Sequence, residues 1–185
     1  MQKVKVSFAM LVVITTAVAL AISTPTILAQ TPPAGQYNPQ TQFPVGTQFT
    51  FTSFNGVAGQ ITGYNSTTGK PIITGYDASA VITVQVDRLT SNGGIHWNVL
   101  SGSFTINGQT YTITGGDGRI GPFDRATSGM DGTATGPNGA TYHWHLAGPT
   151  GIYNGNIVIG SLNGRLAIVQ NGAITAYDLS LLCTA

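Results

Sequence analysis

Residues 104–114 read FTINGQTYTIT, two alternating runs that meet at Asn107-Gly108. Before this pair apolar residues alternate with threonine, and after it Tyr111 and Ile113 alternate with threonine. A period of two is typical of strands that bury one face. An Asn-Gly pair between two such runs is typical of a type I′ hairpin turn, because both residues tolerate a positive φ. The stretch therefore predicts an antiparallel β-hairpin.

The same pattern continues on both sides of this hairpin. Further Asn-Gly pairs at 55–56, 163–164 and 171–172 predict tight turns, and Asn92-Gly93-Gly94 predicts a slightly longer loop. Short loops join neighbouring antiparallel strands. We therefore predict an all-β, antiparallel up-and-down meander that closes into a barrel or folds as a sandwich, after an N-terminal signal helix. Alternating runs occur at 49–52, 82–87, 95–106, 110–114, 140–147, 156–160, 165–170 and 173–182, with weaker candidates at 57–64 and 71–76.

Residues 115–139 (GGDGRIGPFDRATSGMDGTATGPNG) interrupt the alternation. The segment is rich in glycine and contains Asp117, Asp124 and Asp131. Glycine and Asp-Gly pairs favour turns, and long irregular segments within compact domains are more often functional than short ones. The sequence therefore predicts one long irregular loop here.

The N-terminus has the pattern of a secretory signal. Lys3 and Lys5 precede an uncharged apolar run at residues 8–22, and Ala29 precedes Gln30 at the expected cleavage site. We predict a signal peptide at 1–29, with an uncleaved membrane anchor as the alternative, and hence a secreted or cell-surface protein.

Residues 30–46 contain four prolines and no apolar periodicity, which predicts a Pro-rich linker before a single β domain at 47–185. Of 185 residues only 13 are charged, seven Lys or Arg and six acidic, while 25 are glycine. The leader holds two of the lysines, so residues 30–185 carry five basic and six acidic side chains. This balance lacks the clustered cations that bind nucleic acid, and a membrane contact is expected only if the leader stays attached.

All three histidines lie in two predicted strands. His96 shares a face with Asn98, and His143 shares a face with His145, opposite the tryptophan of each strand. If these strands are neighbours, three imidazoles converge, and His-x-His on a strand is a geometry that zinc and copper sites use. His96, His143 and His145 are therefore the candidate ligands for Zn or Cu, with Asp117 or Asp131 as a fourth ligand or outer partner. The alternative is that this face is simply the polar side of the sheet.

The opposite faces of the same strands are aromatic. In a closed barrel, the inward positions would line a cavity suited to a small apolar or aromatic molecule, or those side chains would simply fill the interior. The candidate lining residues are Trp97, Trp144, Tyr111 and Phe104.

Two further positions suggest chemistry. Cys183 is the single cysteine, which excludes an internal disulfide and leaves either a small buried residue or a thiol that links two chains into a dimer. Asn65-Ser66-Thr67 is an acceptor sequence for N-glycosylation in a polar turn. No Gly-x-Ser-x-Gly pentapeptide or EF-hand spacing is present, and no residue is predicted to be catalytic.

Two short segments resemble known β domains. His143-Trp144-His145 with Gly148, Gly151 and residues 154–158 (NGNIV) resembles copper/zinc superoxide dismutase-like and chordin-type domains, which implies a β-sandwich. No histidine follows His145, so the resemblance does not extend to dismutase activity. Residues 114–119 (TGGDGR) resemble a turn of dirigent-like and allene-oxide-cyclase-like proteins, which implies a closed barrel.

Together these patterns favour non-enzymatic binding of a small apolar ligand or a surface partner. A copper or zinc protein, or a metal-dependent enzyme, is the alternative that the histidines support. A structural or adhesive surface protein is the alternative that the uncharged Thr- and Gly-rich composition supports.

Overall fold

The computed structural model describes residues 43–91, 93–121, 127–153 and 156–184. Within these ranges the chain forms nine β-strands and no helix, so none long and apolar enough to cross a membrane. The predicted signal peptide and all but the last four residues of the predicted linker lie outside the described residues. The strands are β1 (Gln48–Tyr64), β2 (Pro71–Leu89), β3 (Ile95–Ile106), β4 (Gln109–Ile120), β5 (Thr127–Thr135), β6 (Thr141–Tyr153), β7 (Asn156–Ile159), β8 (Leu162–Gln170) and β9 (Ala173–Thr184).

Eight of these strands close into an up-and-down barrel. The order is β5-β4-β3-β2-β1-β9-β8-β6, and a further pairing between β5 and β6 closes the ring. All pairs are antiparallel, and β7 forms a hairpin with the last four residues of β6, outside the ring. The predicted all-β antiparallel fold is confirmed, and of its two alternatives the barrel is the one observed.

Two of the predicted Asn-Gly turns have the expected backbone. Asn107 and Gly108 have φ values of 50° and 73°, and Asn171 and Gly172 have φ values of 51° and 76°. Both pairs connect consecutive strands, β3 to β4 and β8 to β9. A left-handed conformation at both central residues matches the right-handed twist of the strands that the turn joins.

The prediction of one irregular loop at 115–139 is wrong, because most of this segment is β-sheet. β4 continues to Ile120 and β5 occupies Thr127–Thr135, with Asp117 directly opposite Asp131. Residues 114–119 accordingly lie within a strand and not in a turn. Glycine predicted a loop here, but in the structure it leaves room inside the barrel for bulky neighbours.

The turns predicted at Asn55-Gly56 and Asn163-Gly164 are also wrong, since both pairs lie within strands. Asn55-Gly56 falls in an irregular part of β1, where the register with β2 and with β9 shifts. There the Ser53 hydroxyl accepts a hydrogen bond from the Ala80 N–H at 2.7 Å. A side chain thus satisfies a buried backbone donor beside the irregularity.

The interior of the barrel is apolar, whereas its outer surface mixes hydroxyl and amide side chains with charged and apolar ones. Ser53 and Ser128 are the buried polar side chains among the described residues, and neither is charged. Phe43, which the sequence places in the linker, is 8% exposed and packs edge-on against Phe49. The largest fully buried side chains are Trp97, Tyr111, Phe51, Phe104, Ile82, Ile95, Ile106, Met130, Leu146, Leu162 and Leu166.

Candidate functional site

The two tryptophans lie inside the barrel against glycines of neighbouring strands. Trp97 on β3 is directly opposite Gly118 on β4, and a Cβ at Gly118 would be 2.6 Å from the indole Nε1. Trp144 on β6 is opposite Gly132 on β5, and its Cζ2 would be 2.8 Å from a Cβ there and 3.0 Å from one at Gly116. The indoles therefore occupy the space that the missing side chains leave.

Both indole N–H groups are buried and have no hydrogen-bond partner among the described residues. Trp97 is 0% exposed and Trp144 is 2% exposed. Native proteins pair most of their buried polar atoms, and a buried donor left without an acceptor costs about 1–3 kcal/mol. Two such donors in an otherwise apolar interior are the most unusual chemical feature of this barrel.

The aromatic side chains differ between the two ends of the barrel. At the start of β1, Phe43, Phe49, Phe51 and Trp97 form a cluster without hydroxyl groups, in which Phe49 and Trp97 meet edge to face at 5.6 Å. We call this the phenylalanine end. Further along the interior, Phe104 packs against Trp144 with ring centroids 5.6 Å apart.

Four tyrosines form the opposite end, which we call the tyrosine end: Tyr76, Tyr111, Tyr142 and Tyr177. Tyr111 packs edge to face on Tyr142 at 5.0 Å and on Tyr177 at 6.0 Å, and Tyr177 also contacts Tyr76 at 6.3 Å. The Tyr111 hydroxyl donates to the Tyr177 oxygen at 3.3 Å. Tyr111 and Tyr142 are buried and Tyr76 and Tyr177 are half-buried, so the cluster runs from the interior to the surface.

Burial favours the protonated form of the two buried tyrosines, Tyr111 and Tyr142. Burial raises the pKa of Tyr111 above its ordinary value, and the hydrogen bond with Tyr177 raises it further. Burial also raises the pKa of Tyr142. Because the Tyr177 oxygen accepts from Tyr111, the O–H of Tyr177 is left to donate to another group.

The four predicted lining residues, Trp97, Trp144, Tyr111 and Phe104, all lie in the interior, each no more than 2% exposed. The other three tyrosines of the tyrosine end were not among the predicted lining residues. The alternation does place Tyr142 on the same face as Trp144, because it is two residues before it in the strand. No such pattern marks the glycines beneath the indoles, because they occur in the segment that predicted a loop.

The three histidines lie on the outside of the barrel and do not converge. His96 is on β3, whereas His143 and His145 are on β6, and β4 and β5 lie between those two strands. The metal prediction required the strands of His96 and His143 to be neighbours, and in the structure they are not. In the described ranges no group of three His, Cys, Asp or Glu side chains is placed to hold a metal ion.

His96 lies instead between two carboxylates. Its Nδ1 is 2.6 Å from Asp87 Oδ1, and its Nε2 is 3.0 Å from Asp117 Oδ2. Both ring nitrogens donate at once only when the imidazole carries both protons. The side chain of His96 is 14% exposed, and its two contacts tie β2, β3 and β4 together on a partly covered part of the outer face.

Asp117 also begins a row of ionisable side chains around the outside of the barrel. In successive strands it is opposite Asp131, which is opposite His145, which is opposite Arg165, which is opposite Asp178. Arg165 Nε donates to Asp178 Oδ1 at 2.7 Å, and this pairing raises the pKa of Arg165. Both partners are about 60% exposed, and exposed pairs of this kind contribute less than about 1 kcal/mol.

The structure also describes the predicted cysteine and glycosylation positions. Cys183 is buried at the end of β9, and burial raises the pKa of its thiol to about 11. Asn65 is exposed in the turn between β1 and β2, where its Oδ1 accepts hydrogen bonds from the Thr67 and Thr68 N–H groups. The turn that the sequence predicts around the glycosylation acceptor is therefore present.

Together the closed meander and its aromatic interior define an eight-stranded up-and-down β-barrel with two unpaired donors inside and a tyrosine cluster at one end. Comparisons with protein-family models, with curated proteins and with solved structures give no match.

Proposed function

We propose that the barrel binds a small, uncharged, ring-containing molecule that carries a hydrogen-bond acceptor such as a ketone or ether oxygen. The observation that carries this proposal is the pair of buried indole N–H groups, on Trp97 and Trp144, without acceptors. A bound acceptor would recover the free energy that each unpaired donor costs. No chemical step is part of the proposed role.

The composition of the interior supports this choice of ligand. Aromatic rings line it from one end to the other, and rings of a ligand would pack on them edge to face or offset. None of the buried side chains among the described residues is charged, so a charged ligand group would be desolvated there without a counter-ion. Eight-stranded barrels have interiors that are filled by side chains or hold one small ligand.

The tyrosine end supplies the entry route in this proposal. Tyr76 and Tyr177 are half-buried, while Tyr111 lies behind them in the interior. The Tyr177 oxygen accepts from Tyr111, so the Tyr177 O–H would donate to the ligand's acceptor oxygen as the ligand enters. In the bound state that oxygen would accept from the Trp144 N–H, and the ligand's rings would pack on Phe104 and the tyrosines.

Prodan, a neutral naphthalene with one ketone, is a suitable test ligand because its emission reports polarity and hydrogen bonding. We expect saturable binding at one site per chain, with a blue-shifted emission. Trp144→Phe keeps an aromatic ring and removes the N–H, so it should weaken binding about fivefold to tenfold, the value of roughly one hydrogen bond.

Tyr64→Phe is the matched control, because Tyr64 is 67% exposed and lies outside the barrel interior. It should leave prodan binding unchanged. Far-UV circular dichroism of each variant verifies the fold. Absence of saturable binding by the folded wild-type protein would overturn the proposal, as would equal affinity of the wild-type, Trp97→Phe and Trp144→Phe proteins.

We further propose that the protein acts outside the cytoplasm, secreted or at the cell surface. The lysines at positions 3 and 5, the apolar run at 8–22 and the Ala29-Gln30 junction support export. Mass spectrometry of the protein from its native host should give a chain that begins at Gln30. A chain that retains Met1 and is found in the cytoplasm would contradict this location.

A further inference from the structure

We propose that Asn65, in the turn between β1 and β2, carries an N-linked glycan transferred from a sugar or oligosaccharide activated as a diphosphate ester. The proposal rests on the export proposed above, because glycans of this kind modify surface loops of secreted proteins. It is independent of ligand binding inside the barrel.

The chain contains one acceptor sequence for this modification. Of its 11 asparagines, Asn65 is the one with a serine or threonine two positions later. The residue between them is Ser66 and not proline, which would disqualify the sequence. Asn163 and Asn171 are also exposed but have no hydroxyl residue at that spacing, so they are internal negative controls.

The turn stands clear of the ring of the barrel. Among the described residues, β1 pairs with β9 as far as Gln60, and β2 pairs with β3 from Ala78 onward. Asn65 is therefore about 16 Å beyond Gln60 along an extended strand. All residues from 64 to 70 are exposed. A transferring enzyme can thus reach the turn from both faces of the hairpin.

Local hydrogen bonds fix the conformation of the turn. The Asn65 N–H donates to the Lys70 carbonyl, and the Gly69 N–H donates to the Asn65 carbonyl, both at 2.8 Å. The Asn65 Oδ1 accepts from the Thr67 and Thr68 N–H groups, both at 2.9 Å. All four bonds join residues that are close in the chain, so the turn does not depend on closure of the barrel.

These bonds leave the reacting nitrogen free. The Asn65 Nδ2 and the Thr67 hydroxyl have no hydrogen-bond partner among the described residues. The amide is therefore held by its oxygen and open to solvent at its nitrogen. The two bonds to Oδ1 also stabilise the negative charge that loss of an Nδ2 proton places on the amide. Proton removal, which the weakly nucleophilic amide needs, is thereby made easier.

The proposed transfer is balanced without an oxidant or reductant. Asn65 Nδ2 attacks the anomeric carbon of the activated sugar, so that a C–N bond forms and the C–O bond to the diphosphate breaks. The diphosphate leaves with the electron pair, and one Nδ2 proton passes to a base of the transferring enzyme. Lys70 is the only charged residue between positions 57 and 76, so the hairpin attracts an anionic donor and has no acidic side chain to repel it.

Peptide mapping by mass spectrometry of the protein from its native host tests the proposal. We expect the peptide that contains Asn65 to carry an added mass equal to a whole number of sugar residues, and the peptides that contain Asn163 and Asn171 to carry none. Thr67→Ala should abolish the added mass, because it removes the required hydroxyl. Thr67→Ser should retain it, since serine supplies the same group.

Two further variants separate the acceptor chemistry from the fold of the turn. Asn65→Asp keeps an oxygen that can accept from the Thr67 N–H but has no amide nitrogen, so it should lose the added mass. Thr68→Ala is the matched control and should keep it, because Thr68 is exposed in the same turn but lies outside the acceptor sequence. Circular dichroism verifies the fold of each variant.

A wild-type Asn65 peptide without added mass would overturn the proposal. If the chain then begins at Gln30, the proposed export still holds and glycosylation alone fails, whereas an unmodified cytoplasmic chain that retains Met1 contradicts both. An added mass that persists in Asn65→Asp and in Thr67→Ala would place the modification on another residue, and so would also exclude the proposed site.

Discussion

Replacing Gly118 by alanine tests the packing of an indole on a strand glycine. A Cβ at this position would lie 2.6 Å from Trp97 Nε1, 2.7 Å from the Gly129 carbonyl oxygen and 2.7 Å from Met130 Cβ. Ordinary contacts are at 3.4 Å or more. The indole and the backbone of β5 would each have to move by several tenths of an ångström, and β5 is paired on both sides.

Extra volume in a packed core costs about 1–3 kcal/mol when neighbours must shift. For a domain of this size, each kcal/mol lowers the melting temperature by roughly 2–4 °C. We therefore expect Gly118→Ala to lower the free energy of unfolding by about 1–3 kcal/mol. Urea denaturation followed by tryptophan fluorescence measures this value, and thermal melting followed by circular dichroism verifies it.

Gly115→Ala is the matched control, in the same strand and with no atom within 4 Å of the added Cβ. It should be neutral, or stabilising by roughly 0.4–1 kcal/mol, because alanine restricts the unfolded chain. Trp97→Phe combined with Gly118→Ala should be less destabilising than the sum of the two changes, since the smaller ring relieves one contact. Equal stability of the Gly115→Ala and Gly118→Ala proteins would refute the packing argument.

Three further results are expected. His96→Asn should lower the free energy of unfolding by about 1 kcal/mol through loss of two carboxylate contacts, whereas His143→Asn, on the exposed outer face, should be neutral in the same urea titration. Cys183 should resist iodoacetamide at pH 8 in the folded protein, because its pKa of about 11 keeps the thiol protonated, and react once urea unfolds the chain; rapid labelling of the folded protein would contradict its burial. Gly172→Ala, at a φ of 76°, should lower the free energy of unfolding by about 1–2 kcal/mol, whereas Gly160→Ala should not; calorimetry that finds no difference would exclude the turn geometry.

Local patterns predicted the elements whose side chains alternate between a buried and an exposed face. Residues 104–114 predicted a hairpin, and the structure has one, with Asn107 and Gly108 in the left-handed region. The faces of Trp97 and Trp144 were also predicted correctly, because a period of two places each of them with apolar neighbours.

The sequence predicted turns or loops at glycines that in the structure lie in strands and leave space for bulky side chains of neighbouring strands. Gly116, Gly118 and Gly132 are inward positions that accommodate indoles from neighbouring strands, and no local pattern distinguishes this role from a turn. Gly56 is similar, since a Cβ there would lie 2.6 Å from a methyl group of Leu181 on β9. These are contacts between residues far apart in the chain, which override local turn propensity.

The error at 115–139 explains the outcome for the histidines. With that segment assigned as a loop, the strands of His96 and His143 could be neighbours. Because the segment instead forms the end of β4 and all of β5, the two sites lie on opposite sides of this strand pair. The contacts of His96 with Asp87 and Asp117 depend on strand register and could not be predicted from spacing alone.

Whether the buried indole donors bind a ligand is tested most directly by a proton–nitrogen NMR spectrum of protein labelled with ¹⁵N-tryptophan, recorded without and with prodan. We expect two indole N–H signals that exchange slowly with solvent, and we expect the Trp144 signal to move downfield when the ligand's ketone accepts a hydrogen bond. Indole signals that exchange as fast as those of free tryptophan, or that stay in place at saturating prodan, would contradict an interior whose unpaired donors bind a ligand.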